Sequence, residues 1–139
     1  MSYTYSICHP EQQEIEYVSE VISKDDVLRV ANDYPWNQKL NLMESMDEEN
    51  IFFNPALDFT CEDDRYSFCL TATRNEQKKL EFSLWFNRKV QYKSMFGLFG
   101  RKEKMQVVDQ RGFQKSDAID YLKIFVDQDY QELEALMSI

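Results

Sequence analysis

Large apolar residues alternate with polar ones through the middle of the chain, and this period of two restricts the fold more than any other feature. The apolar positions are Leu57, Phe59 and Cys61, then Tyr66, Phe68 and Leu70, then Leu80, Phe82, Leu84 and Phe86. Such alternation predicts strands that each bury one face. Polar turns at 62–64 and 74–78 separate the strands, so we predict antiparallel hairpins.

Four further segments carry strand patterns. Two alternating runs, 3–7 and 15–21, predict an N-terminal hairpin, and 51–53 and 104–109 predict two more strands. The long run 79–93 loses its parity at 87–89, where we expect a bulge or a bend.

Helix signals fall in two places. Ser23 with Asp26 forms a capping box that predicts a helix over 24–33, and Pro35 separates it from a second helix that starts at Trp36 and ends near Met46. Ser116 is the predicted N-cap of a third helix. Asp129 with Glu132 predicts a fourth.

The sum of these elements is one α+β domain over residues 1–139. We predict an antiparallel sheet of about five to seven strands, packed with two helices from the N-terminal half and two C-terminal helices. A chain of 139 residues with 43% hydrophobic content can bury a sizeable core.

Composition also suggests a compartment. The three cysteines, Cys8, Cys61 and Cys69, show no CxxC spacing, so we expect thiols and no disulfide framework or zinc site, although Cys61 and Cys69 flank one turn and could lie across from each other. The sequence shows no N-terminal signal peptide and no apolar run of about 18 residues, the length that spans a membrane. We therefore expect a soluble, cytoplasmic protein.

Charge is sorted into blocks along the chain. Residues 1–64 carry fifteen acidic side chains against three basic ones, residues 65–115 carry twelve basic against four acidic, and residues 116–139 are acidic again. The net charge of −9 disfavours binding of nucleic acid or an anionic membrane by the molecule as a whole. A basic strand region beside acidic helices and turns is expected.

Trp85 is the first candidate contact residue. If Leu84 and Phe86 face the core, alternation puts Trp85 on the opposite face, where it is either displayed or covered by a helix. Displayed beside the basic Arg88, it could pack against a partner.

The segment 93–104 is the second candidate. It holds two glycines and large apolar residues between basic flanks, and its candidate contact residues are Phe96, Leu98, Phe99, Arg101 and Lys102. The apolar side chains either anchor a partner or a membrane surface, or fold back onto the core.

Two acidic turns are the third candidate. They contain Asp47, Glu48 and Glu49, and Glu62, Asp63 and Asp64. Neither has the spacing of a calcium loop, so both are interpreted as solvated turns that could also face a basic partner.

No motif for catalysis, a metal or a cofactor stands out, and paired carboxylates without a defined spacing are the only hint of an enzyme. We expect a non-catalytic protein-binding module, without cofactor or metal and with nucleic acid unfavoured. In being small, acidic and aromatic-rich it resembles the immunity proteins that bacteria keep against secreted toxins. That resemblance implies that the acidic turns face a basic partner protein, with Trp36 or Trp85 as anchor. The alternative is a peripheral binder of anionic surfaces through the basic segment Met95–Lys104.

Overall fold

A computed structural model describes residues 1–93 and 101–138, and the side chains of all of these except 91–93 and 101–104. Six antiparallel strands form one open sheet in the order β2-β1-β3-β4-β5-β6. The strands are β1 Ser2–Cys8, β2 Glu16–Ser23, β3 Ala56–Cys61, β4 Ser67–Arg74, β5 Leu80–Lys93 and β6 Arg101–Phe113. The predicted fold class and strand number are confirmed.

Four helices complete the fold, two in each half of the chain. They are α1 Lys24–Asp33, α2 Trp36–Glu44, α3 Lys115–Val126 and α4 Tyr130–Met137, and a 3-10 turn covers Glu48–Asn50. The α1 capping box forms as predicted, since the Ser23 hydroxyl accepts from the Asp26 amide at 3.2 Å and the Asp26 carboxylate accepts from the Ser23 amide at 3.4 Å. Asp129 likewise caps α4 by accepting from the Glu132 amide.

All four helices supply residues to the same core as one face of the sheet. The strands contribute Phe59, Phe68, Leu84 and Phe86 among others, and the helices contribute Val27, Leu40, Leu122 and Leu133. Phe68 and Phe86 both meet the ring of Phe125 in α3. Tyr3 in β1 donates its hydroxyl to the Val126 carbonyl at 3.0 Å, which fixes the end of α3 to the sheet. The helices therefore cover one face and leave the other bare.

Three local predictions are wrong. Residues 51–55 form no strand, because the Phe52 amide donates to the Pro10 carbonyl outside the sheet ladder. Helix α3 begins one residue before Ser116, with Gln114 as an N-cap that makes no side-chain cap bond. The irregularity in β5 lies between Phe82 and Leu84, opposite 110–113 of β6, and 87–89 pair regularly. Gly112 occupies a positive φ of 86° there, a conformation that glycine adopts without strain.

Candidate binding surface on the open sheet face

The bare face of the sheet is rich in hydroxyl side chains. They come from the alternate positions that point away from the core: Thr4, Ser6, Thr60, Ser67, Thr71, Thr73 and Ser83. We call this surface the open face. Its side chains are mostly small and polar, none of the described helices covers it, and it is available to a ligand.

One row of residues crosses the open face through all six strands. Strand register places Tyr17 opposite Ser6, Ser6 opposite Asp58, Asp58 opposite Cys69, Cys69 opposite Trp85, and Trp85 opposite Asp109. Directly opposed side chains in an antiparallel sheet lie about 5 Å apart at Cβ, so neighbouring members of this row lie close enough to contact one ligand together. Its two aromatic members, Tyr17 and Trp85, are both exposed.

Trp85 is displayed, as one of the two sequence interpretations had it. Its side chain is 49% exposed on the open face, where no helix covers it. Beside it lies a groove of about 410 Å³, lined by Asn54, Thr71, Thr73, Glu81, Ser83, Trp85, Arg111 and Gly112. A half-exposed indole next to hydrogen-bonding side chains is the usual composition of a contact hot spot.

Asp58 lies in the middle of the same row, and the sequence analysis did not single it out. Its Oδ1 atom is shielded from solvent and has no hydrogen-bond partner among the described residues. Burial raises the pKa of this carboxyl from 3.8 to about 6, because the ionised form loses hydration that nothing in the sheet replaces. At neutral pH the carboxylate is still charged, so the open face holds an anion whose Oδ1 atom has no hydrogen-bond donor among the described residues.

Two thiols lie near this carboxylate. Burial, and secondarily the charge of Asp58, raises the pKa of Cys69 to about 12, and the same two causes raise the pKa of Cys8. Cys61 faces the core on the other side of the sheet, so Cys61 and Cys69 do not lie across from one another, contrary to one sequence expectation. All three cysteines are free.

A second groove, of about 440 Å³, opens above Asp58 between β2 and the β3–β4 turn. Its lining comprises Thr4, Tyr5, Ser6, Ile15, Tyr17, Val18, Asp58, Thr60, Glu62 and Arg65. We call it the Asp58 groove. It is the more acidic of the two grooves, because Asp58 and Glu62 outnumber its one cation, and that cation is already paired with Glu62 at 3.4 Å.

The two predicted acidic turns do not form one surface. Glu62, Asp63 and Asp64 follow the last residue of β3, whereas Asp47, Glu48 and Glu49 precede its first residue by several positions, so the turns lie at opposite ends of that strand. The Asp64 carboxylate accepts from the Tyr66 amide and the Tyr130 hydroxyl, which is a structural role. Of these acids, only Glu62 lines either of the two grooves described above.

Arg88 does not lie beside Trp85. It points to the helix-covered side, where Nε and Nη2 donate to the two Glu134 oxygens at 2.5 and 2.6 Å, and Nη1 donates to the Gln106 carbonyl at 2.9 Å. The side chain is only 14% exposed. Arg88 therefore braces β5 against α4 and β6, which limits its availability to a partner.

Beyond Arg88 the last two strands continue alone. Residues 88–93 of β5 pair with 101–106 of β6, while β4 ends at the pair of Ser67 and Asn87. Six residues at about 3.3 Å each make an arm roughly 20 Å long. Arg101 and Lys102 lie on its β6 strand, whereas Phe96, Leu98 and Phe99 fall outside the described residues.

The predicted anchor Trp36 is internal, and so is the histidine His9. Trp36 is 2% exposed and donates its indole N–H to the Ala31 carbonyl at 2.9 Å, so it cannot be a surface anchor. His9 is buried between two partners. Lys39 donates to Nδ1 at 3.1 Å, so Nε2 carries the hydrogen and donates to Glu16 at 2.8 Å. This bridge ties β1 to β2 and α2.

Within the described part of the chain, no group of three or more His, Cys, Asp or Glu side chains is arranged to hold a metal ion. None of the helices described combines the length and apolarity needed to cross a membrane. No family model, no curated protein and no solved structure matches the chain.

Proposed function

We propose that the chain is a non-catalytic protein-binding module that receives a partner protein on its open face. One observation carries the proposal: the six-stranded sheet has its four described helices on one side, and Trp85 stands half exposed on the bare side, one strand in from the β6 edge. Tryptophan is among the residue types that most often anchor a protein interface.

Charge supports a basic partner. The chain carries a net −9, and its N-terminal 64 residues supply β1, β2 and β3, the acidic half of the open face. Asp58 and Glu62 lie in that half. A basic protein would be steered toward it at low ionic strength and oriented by the Asp58 groove. An immunity-type inhibitor that occludes a basic toxin is the specific form of this proposal.

The test is affinity capture with matched variants. The full chain is immobilised and exposed to lysate of the organism that makes it, at low and at high salt. Trp85→Ala removes the anchor, and Leu42→Ala removes a side chain that is 36% exposed on α2 in the helix layer. A stoichiometric basic protein retained by wild type and Leu42→Ala but lost with Trp85→Ala supports the proposal. Equal capture by Trp85→Ala contradicts it.

The arm favours a second candidate, a peripheral binder of anionic surfaces. Its described strands carry Lys89, Lys93, Arg101, Lys102 and Lys104 against the single acid Glu103, and they project past the rest of the sheet. Such a concentration of positive charge can overcome net repulsion locally.

Flotation with vesicles of phosphatidylserine and phosphatidylcholine separates the candidates. Binding that falls with salt and disappears when Arg101, Lys102 and Lys104 are changed to Gln supports the arm. Binding to the same vesicles that survives this triple change, or that is absent from wild type, contradicts it.

A further inference from the structure

The Asp58 groove contains an anion that the fold leaves without a donor. An ionised carboxylate can accept about four hydrogen bonds, and burying it without them is costly. Ser6 and Cys69 lie directly opposite Asp58 on the neighbouring strands, yet Oδ1 receives no hydrogen bond from any described residue. Because Oδ1 is shielded, a donor that enters the groove would bind the second carboxylate oxygen, Oδ2.

The wall of the groove suits a cation. Tyr17 is 77% exposed, lines the groove and lies two positions from Asp58 in the same row. An aromatic face beside a carboxylate attracts a guanidinium or an ammonium group by cation–π and ionic contacts together. Thr4, Ser6 and Thr60 add hydroxyl oxygens that can accept the remaining N–H groups.

The neighbouring cation does not fill the site. Arg65 lines the same groove, but its Nη1 donates to Glu62 at 3.4 Å and no bond joins it to Asp58. Its backbone φ of 64° belongs to the tight turn after β3, which holds it at the rim. Glu62 is thereby neutralised, whereas the charge of Asp58 is not.

We propose that the Asp58 groove is a pocket for one arginine or lysine side chain of the partner protein, with Asp58 as its counterion and Tyr17 packed against its charged end. This inference rests on the proposed function, because it names the kind of partner side chain that the open face would recognise. Trp85 would anchor the partner two strands away from Asp58, on the far side of Cys69 in the same row.

Binding should depend on pH, because only the ionised carboxylate pairs with a cation. The groups that face Asp58 are Cys8 of β1, Cys69 of β4, Tyr17 of β2 and the Glu62–Arg65 pair; none of the four described helices packs on this side. With the carboxyl pKa raised to about 6, the pocket is charged at pH 7.5 and mostly neutral at pH 5. Affinity for a cation should fall about tenfold between these values.

The test needs no partner. Propylguanidine and propylamine are titrated into the ¹⁵N-labelled protein at pH 7.5 and pH 5, and amide shifts of Ser6, Asp58 and Thr60 are followed. We expect saturable shifts with a Kd on the order of millimolar for the better probe. Asp58→Asn should weaken binding at least tenfold. Asp109→Asn, an exposed acid at the far end of the same row, should leave it unchanged.

Absence of saturable shifts, or equal shifts in Asp58→Asn, would overturn the inference. The amide spectrum of the Asp58→Asn variant shows whether that variant is folded. Asp58→Glu is a second variant, which keeps the negative charge but moves it by one methylene group. The two proposals fail separately. Partner capture that depends on Trp85 but not on Asp58 leaves the protein-binding function intact and removes only the cation pocket. Probe binding without Trp85-dependent capture leaves the pocket and removes the function.

Discussion

Trp85 and Phe86 are neighbours in β5, yet their side chains point to opposite sides of the sheet: Phe86 is fully buried and Trp85 is half exposed. Phe86 meets the rings of Tyr66, Phe125 and Tyr130, whereas Trp85 borders a groove on the open face. Adjacent positions in one strand therefore serve stability and surface recognition separately.

The two side chains should differ in their effect on stability. Phe86→Ala should lower the free energy of unfolding by about 3–5 kcal/mol, because it empties a packed aromatic site. Trp85→Ala should change it by less than about 1 kcal/mol, since the open face lacks covering atoms. Urea denaturation followed by circular dichroism measures both. Equal losses would show that the indole packs more tightly than its exposure implies.

The two tryptophans should quench differently. Trp36 is buried and bonded to Ala31, and Trp85 is accessible, so iodide should quench only one component of the native fluorescence. Trp85→Phe should remove that component and leave an emission at shorter wavelength. If the remaining fluorescence is still readily quenched by iodide, Trp36 is more accessible than its burial in the core allows.

Asp58→Asn should stabilise the protein. The wild-type carboxyl pKa is raised to about 6 in the fold from 3.8, so between these values the unfolded chain is ionised while the folded one holds its proton. The contribution of the Asp58 carboxyl to the free energy of unfolding is thus highest below pH 4. It falls as the pH rises to about 6 and stays low above that pH. We expect a gain of about 1–3 kcal/mol for the amide at pH 7.5 and little at pH 3.5.

Thermal or urea unfolding of wild type and Asp58→Asn across pH 3.5–7.5 gives the comparison, with Asp109→Asn as a control that should follow wild type. A loss of stability on amidation at pH 7.5 would mean that the carboxylate has a partner in solution.

Arg88→Ala should loosen the arm. The two charge-assisted bonds to Glu134 and the bond to the Gln106 carbonyl would be lost together. Because the Glu134 side chain is 39% exposed, we expect a cost of only about 1–2 kcal/mol. Hydrogen exchange should accelerate most in the β6 amides from Arg101 to Gln106. Lys89→Ala, the next residue and on the open side, should leave those rates unchanged.

The same pair predicts an acid dependence. Hydrogen bonds with Arg88 hold the pKa of Glu134 below the ordinary 4.5. The contribution of this ion pair to folding stability is therefore present above pH 4.5, and it is lost as the pH falls through the lower pKa of Glu134 in the folded state. The difference in unfolding free energy between wild type and Arg88→Ala should therefore shrink below about pH 4. If the difference in unfolding free energy is just as large at pH 2, packing of the Arg88 side chain and not its ion pair with Glu134 is the cause.

The thiols should be slow to react in the native state. The raised pKa values of Cys8 and Cys69 reduce their thiolate fraction at pH 8, and Cys61 is buried in the core. A disulfide reagent such as DTNB should label all three cysteines promptly in urea and label the native protein far more slowly. Rapid native labelling of Cys69 would show that the centre of the open face is looser than described.

Local signals in the sequence were enough to predict most of the fold. The Ser23 capping box, Pro35 and the alternation in β3, β4 and β5 each depend on residues close in the chain, so they could be interpreted without knowing the sheet order. Ser116 misled because Gln114 can begin a helix without a side-chain cap when Ala118 and Leu122 bury the helix face. The expected bend at 87–89 is absent because Glu134, a distant residue, satisfies Arg88 in regular strand geometry.

The candidate site was less accessible to sequence reasoning. Alternation alone placed Trp85 on the face opposite Phe86, but whether helices covered that face depended on the packing of all four. Asp58 could not be found, because its importance comes from which residues of β1 and β4 oppose it. The only local signal was a charged residue at the centre of the strand Ala56–Cys61, whose other members are apolar or small.

The strand order has a consequence for how quickly the chain can reach its native state. From β3 to β6 each strand pairs with its successor, and the β1–β2 hairpin is equally local. Only the pairing of β1 with β3 joins residues about fifty positions apart, across α1 and α2. Closing that loop costs chain entropy before any contact compensates for it. Docking of the N-terminal hairpin onto a preformed four-stranded meander should therefore be the slow event in folding, and it is the step that completes the Asp58 groove.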